Sequence, residues 1–152
     1  MNDYFFCIST IHGILQDCSE VHTIIHGGTG ELDTYKKSIP PIAHINPISR
    51  NFASSQMNSY TFEIAILDQR NISKFQEEDK FAGNDNEIDN LNLCDYILNF
   101  LITRLRNTRT GVELISVGSA TPLILKHTNL MDGWVLQITV ATQNDVISPC
   151  SP

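Results

Sequence analysis

"NSYTFEIAILD", residues 58–68, is the stretch on which the fold turns. In an extended backbone Tyr60, Phe62, Ile64 and Ile66 point to one side, and Thr61, Glu63, Ala65 and Leu67 to the other. The first set is aromatic and β-branched, the composition that suits a packed, pleated surface. The second set is mixed rather than polar, which predicts a strand in the interior of a sheet.

Downstream, "QRNISKFQEEDKFAGNDN" reads as a polar connection into a long helix from about Asn86 to Arg106. Asp85 is the expected N-cap, and Leu91, Cys94, Leu98, Leu101 and Leu105 form the apolar seam at three- and four-residue steps. Arg104, Arg106 and Arg109 gather where a helix dipole favours cations. After "NTRTG", three further strands are expected at Val112–Val117, Thr121–His127 and Gly133–Thr142. In the last of these Trp134, Leu136, Ile138 and Val140 alternate with Val135, Gln137, Thr139 and Ala141.

Upstream, "PPIAHINPISRNF" is proline-punctuated and reads as an edge strand, because proline cannot donate to a ladder. A strand at Glu31–Ser38 is expected before it. Residues 3–26 carry Tyr4, Ile8, Ile11, Leu15, Cys18, His22 and Ile25 at helical spacing, so a first helix is expected to run to "HGGTG", where Gly27 and Gly28 stop it. The sum is an α+β fold: a mostly antiparallel sheet with two helices packed on one face. One domain is expected over residues 1–142, followed by an extended or disordered C-terminal arm at 143–152.

Bulk composition narrows the functional classes. At 152 residues the chain can bury a proper core without staples. A hydrophobic content of 41% sets it apart from disordered chains. Charged residues make up 18%, fewer than usual, which suits a surface partly covered by other protein. The net charge of −7 disfavours nonspecific binding of nucleic acid. No apolar run approaches the roughly 20 residues that span a bilayer, and the start of the chain lacks the basic character of a secretory signal. Cys7, Cys18, Cys94 and Cys150 show no CxxC spacing; free thiols in a reducing cytosol are expected, three of them in the core.

Candidate chemistry is sparse. On a continuous first helix, Cys18, His22 and His26 would share one face, a spacing that suits zinc and defines one alternative, a small metal-binding or regulatory module. The same stripe also carries core residues, and His26 would meet exposed carbonyls at the helix end. "HGGTG" has the look of a phosphate loop, but a phosphate cradle needs its glycines before a helix, not after one. His12, His22, His26, His44 and His127 are scattered, and no nucleophile motif surrounds them, so a small enzyme is only the second alternative. No catalytic residue, metal ligand or cofactor site is therefore expected. Trp134, after Asp132-Gly133, reads as an anchor closing the end of the core.

The order of elements, with "YTFEIAILDQRN" at Tyr60–Asn71 and "MDGWVLQITV" at Met131–Val140, resembles the bacteriophage tail terminator and neck ring family. The resemblance covers roughly residues 4–142. It implies a structural virion protein with no enzymatic activity, forming a homo-oligomeric ring (hexamer or dodecamer) at the head–tail junction. Such a ring would meet portal, connector or other neck ring proteins on one face and tail proteins on the other. It would let DNA pass through its lumen without specific binding, and would be assembled in the host cytoplasm. Two polar stretches outside the expected core are candidate partner-docking segments: Gln69, Arg70, Asn71, Glu77, Glu78 and Asp79 in the connection, and Val146 and Ile147 in the arm.

Overall fold

A computed structural model describes residues 3–28, 39–52, 56–71, 86–107, 110–126 and 130–143. In chain order its elements are α1 (Asp3–Asp17), β1 (Thr23–His26), β2 (Ile42–Asn51), β3 (Met57–Gln69), α2 (Glu87–Leu105), β4 (Glu113–Val117), β5 (Thr121–Lys126) and β6 (Met131–Gln143). The six strands form one sheet in the order β1-β2-β3-β6-β4, with β5 also paired to β6. Only the β1–β2 pair is parallel; the other pairings are antiparallel. This is the expected α+β architecture.

β3 and β6 are the axis of the sheet, paired without a break from Met57↔Gln143 to Gln69↔Met131. Their register puts Tyr60, Phe62, Ile64 and Ile66 on the same face as Val140, Ile138, Leu136 and Trp134. Both helices cover that face. Cys7, Ile11, Ile14 and Leu15 of α1 join Cys94, Ile97, Leu98, Leu101, Ile102 and Leu105 of α2 in one core cluster with the strand residues. Each large side chain withdrawn from water there is worth about 1.5–3 kcal/mol, so this face supplies most of the drive to fold. The opposite face holds a smaller cluster of Ile25, Ile42, Leu67 and Met131.

Three expectations need correcting. The first helix ends at Asp17, not at residue 26, and Thr23–His26 form a parallel strand beside β2. The apolar stripe does continue past Asp17. However, Thr23, Ile24 and Ile25 are β-branched, and the ladder offered by Ile42–Ile45 suits such residues better than another helical turn. Gly27, at φ 137°, therefore closes a strand, and its N–H reaches the Ile45 carbonyl.

β2 is an edge strand only in part. Residues 42–45 lie between β1 and β3, while Pro47 falls beyond the end of β1, where the lost N–H costs no ladder bond. Finally, Asn86 rather than Asp85 occupies the N-cap of α2, and its side chain does not cap the helix. The strand expected at Glu31–Ser38 lies outside the described residues.

Candidate functional site

The two quoted stretches, "YTFEIAILDQRN" and "MDGWVLQITV", are neighbours in space. Asp68 lies opposite Asp132, Leu67 opposite Gly133, and Ile66 opposite Trp134. The start of α2 packs against this end of the strand pair, and a polar network joins the three elements.

At its centre Arg70 makes a bidentate ion pair with Asp132: Nε donates to Oδ2 at 2.6 Å and Nη2 to Oδ1 at 2.9 Å. The side chains of Arg70 and Asp132 are 4% and 0% exposed. Nη2 also donates to Glu87 Oε2 at 2.7 Å, in the first turn of α2. The hydrogen-bonded Asp132 carboxylate pushes the Arg70 guanidinium pKa further up, against the opposing effect of burial. A planar fork matched to a carboxylate is the geometry in which arginine outperforms lysine.

Around the pair, amides tie α2 to the end of β3. The Asn86 and Asn90 side chains donate to the Gln69 carbonyl at 3.2 and 3.1 Å, and Asn86 Oδ1 accepts the Asn71 N–H at 2.8 Å. Asn86 fails to cap its own helix because both ends of its amide are committed to the strand. Leu130, with φ 52°, enters β6 through a left-handed backbone that is strained for leucine, and its carbonyl accepts the Arg70 N–H at 3.1 Å.

Gly133 and Trp134 complete the junction. A Cβ on Gly133 would stand 1.8 Å from the Ile66 carbonyl oxygen, so no side chain fits between the strands there. Trp134 packs, partly buried, against the main core and donates from Nε1 to the Leu91 carbonyl of α2 at 2.9 Å. The Cys94 thiol is buried at the same junction, and desolvation, reinforced by Asp68 and Asp132, pushes its pKa up to about 12. At neutral pH it is held as the protonated thiol. The arrangement fastens a helix to two strands.

The residues singled out from sequence are distributed unevenly. Arg70 belongs to this buried lock, which corrects its reading as a docking residue: a guanidinium held by two carboxylates inside the fold is not presented to a partner. Gln69 and Asn71 are exposed at the surface of the junction. Glu77, Glu78, Asp79, Val146 and Ile147 lie outside the described residues. Asp132, Glu87, Asn86 and Asn90 were not singled out. In sequence, the one signal at Asp132 is its place directly before Gly133-Trp134.

The shared helical face proposed for Cys18, His22 and His26 does not exist. Cys18 is buried after the end of α1, His22 Nδ1 lies 2.9 Å from the Pro40 carbonyl, and His26, in β1, has its Nε2 2.8 Å from the hydroxyl of Tyr4 in α1. Burial raises the Tyr4 pKa, so that phenol stays protonated beside the histidine. Among the described residues no group of three or more His, Cys, Asp or Glu side chains is placed to hold a metal. No helix among them is long and apolar enough to cross a membrane.

Two surface features remain. β4 and β5 lie end to end along the outer side of β6, with Leu114↔Val140 and Val117↔Ile138 in one segment and Thr121↔Val135 in the other. This outer strand carries Ile115, Val117 and Ile124 at 50%, 37% and 43% exposure. At the opposite side of the sheet, a groove of about 450 Å³ is bounded by Tyr4, Pro47, Ile48, Arg50, Tyr60 and Phe62.

Compared with protein-family models and with curated proteins, the sequence matches none of them.

Proposed function

We propose that this chain is a structural subunit of a ring at the bacteriophage head–tail junction, a tail terminator or another neck ring, which joins the portal or connector to the tail. The observation that carries the reading is the outer β4–β5 strand. A sheet edge is a row of backbone donors and acceptors, and monomeric proteins blunt such edges with lysines, inward charges or a covering element. Pro122, Lys126 and a register shift in each segment blunt this edge in part, but it still displays Ile115, Val117 and Ile124, and no further strand pairs with it among the described residues.

An apolar edge on one side of a subunit, meeting a different surface of the next copy, is a heterologous contact, and such contacts close into rings when the rotation allows. The buried Arg70–Asp132 lock suits the same role, because it keeps the sheet rigid where load passes from one subunit to the next. The net charge of −7 supports a lumen that repels the DNA backbone and lets it slide. The resemblance carried by Tyr60–Asn71 and Met131–Val140 supplies the particular location.

The test is the copy number of the protein in purified particles, measured by quantitative mass spectrometry against the portal. Six or twelve copies per particle are expected, and absence from particles refutes the reading. In parallel, native mass spectrometry of Ile115→Lys/Val117→Lys is expected to show loss of the oligomer with the subunit fold retained; an unchanged oligomer removes β4 from the contact.

A further inference from the structure

The sheet is open on two sides. β1 covers β2 only along Ile42–Ile45, so the outer side of Pro47–Asn51, five exposed residues in succession, pairs with no strand among the described residues. On the far side of the sheet β4 is open in the same way. Strand directions make the two sides compatible, because β2 and β6 run one way and β3 and β4 the other. β4 of one copy therefore meets β2 of an equally oriented copy as an antiparallel neighbour.

The two strands also match residue by residue. On the face covered by the helices, one row of neighbours crosses the sheet through Arg50, Tyr60, Val140 and Leu114. A second row runs through Pro47, Phe62, Ile138 and Val117. Between those rows β3 and β6 each have one residue, Thr61 and Thr139, whereas β2 has Ile48-Ser49 and β4 has Ile115-Ser116. Both outer strands thus carry one extra residue at the same level of the sheet. A bulge spoils an edge for a regular partner, but two strands with the same extra residue can pair evenly. In both strands the residue that drops out of register is an isoleucine, Ile48 at 45% exposure and Ile115 at 50%.

We infer that β4 of each copy docks on the outer side of β2 of the next, so that one sheet continues from subunit to subunit. Leu114 then lies beside Arg50, Val117 beside Pro47, and Ile115 closes over Ile48. Val117, 37% exposed in the single chain, comes to the rim of the groove that Pro47, Ile48 and Arg50 bound. The only charged residues of the two segments, Arg50 and Glu113, are opposite in sign and fall one residue apart across the seam, where like charges would repel. By alternation from Ile45, whose carbonyl takes the Gly27 N–H, the Pro47 carbonyl points outward, so the seam forgoes only the donor that proline lacks.

Because both rows continue at their own level, no rise accumulates from copy to copy. That is the condition for a closed ring rather than a helical filament. The inference rests on the ring reading and names the surface that the apolar edge meets.

The test is disulfide trapping in the full-length protein carrying Cys150→Ser, in which Cys7, Cys18 and Cys94 are buried. Ser49→Cys and Ser116→Cys are introduced together. Within one chain these positions are three strand spacings apart, roughly 14 Å, too far for a disulfide. Across the seam they are neighbours. Mild oxidation is expected to move most of the protein from the monomer band into a ladder on a non-reducing gel, ending at the subunit number that native mass spectrometry gives for the same sample. Ser49→Cys with Thr121→Cys is the control. Thr121 pairs with Val135, four residues along β6 from Thr139 and so roughly 13 Å off the level, and this pair is expected to stay in the monomer band.

An intact oligomer that gives no ladder overturns the seam and leaves the ring reading standing. An equal ladder from the Thr121 pair also overturns it. So does a dimer band from either single variant, which gives that edge to a two-fold pair. A protein that is monomeric by native mass spectrometry overturns the ring reading and the seam together.

Discussion

Arg70→Met tests the energetic claim made for the junction. The substitution keeps most of the aliphatic stem but removes the guanidinium that donates to Asp132 at 2.6 and 2.9 Å and to Glu87 at 2.7 Å. Breaking a buried ion pair from one side costs about 3–5 kcal/mol, because the remaining charge stays desolvated. Against a total stability of roughly 5–15 kcal/mol, that is a large share. For a chain of this length each kcal/mol lowers Tm by roughly 2–4 °C, so a drop on the order of 10 °C is expected.

Asp132→Asn should cost less, about 2–3 kcal/mol, since Arg70 retains Glu87 as a charged partner. The double variant should recover about 1–3 kcal/mol relative to the sum of the two single losses, the coupling expected of groups in direct contact. The assay is urea unfolding followed by the fluorescence of Trp134, the only tryptophan, which is adjacent in the chain to Gly133 and bonded to α2. Losses below about 1 kcal/mol for Arg70→Met, with an unchanged dependence on urea, would refute the reasoning.

Gly133→Ala must push β3 and β6 apart where the new Cβ would lie 1.8 Å from a backbone oxygen. Overpacking of this kind costs about 1–3 kcal/mol or more, and amide exchange should rise selectively at Leu67 and Trp134. A variant as stable as the parent would show that the strands part freely. The Cys7 and Cys94 thiols, both pushed up to about 12 by burial, should resist alkylation in the native protein at pH 8 and react on unfolding. Because both pKa values are raised in the folded state, their contribution is intact below about pH 9, the ordinary thiol value. It is lost as pH rises from there toward 12, so Tm should fall over that window; a Tm flat to pH 11 counts against it.

Much of this molecule is legible without coordinates, and for a local reason. α2, β3 and β6 each carry a long apolar period that only one element type satisfies, and each lies within a few residues of its expected bounds. β1 was not legible, since Thr23–His26 continues the stripe of α1 and becomes a strand only through Ile42–Ile45. Arg70 misled for the same reason. Within "DQRN" it is one polar residue among four, and the acid that buries it is 62 positions further on. The groove depended on a bulge at Pro47–Ser49, a feature that leaves no periodic trace in sequence.

Placing β6 between β3 and the β4–β5 strand also sets an order of events during synthesis. Three of its neighbours are made before it, so β3 waits with one edge open until Met131–Gln143 is available. At roughly 5–20 residues per second, a ribosome takes on the order of ten seconds to reach that point. The helices and the β2–β3 hairpin have local partners throughout this interval, whereas the sheet as a whole closes in one late step. A stop codon shortly before residue 131 would therefore remove the keystone of the sheet, leaving β4 and β5 with no strand to join.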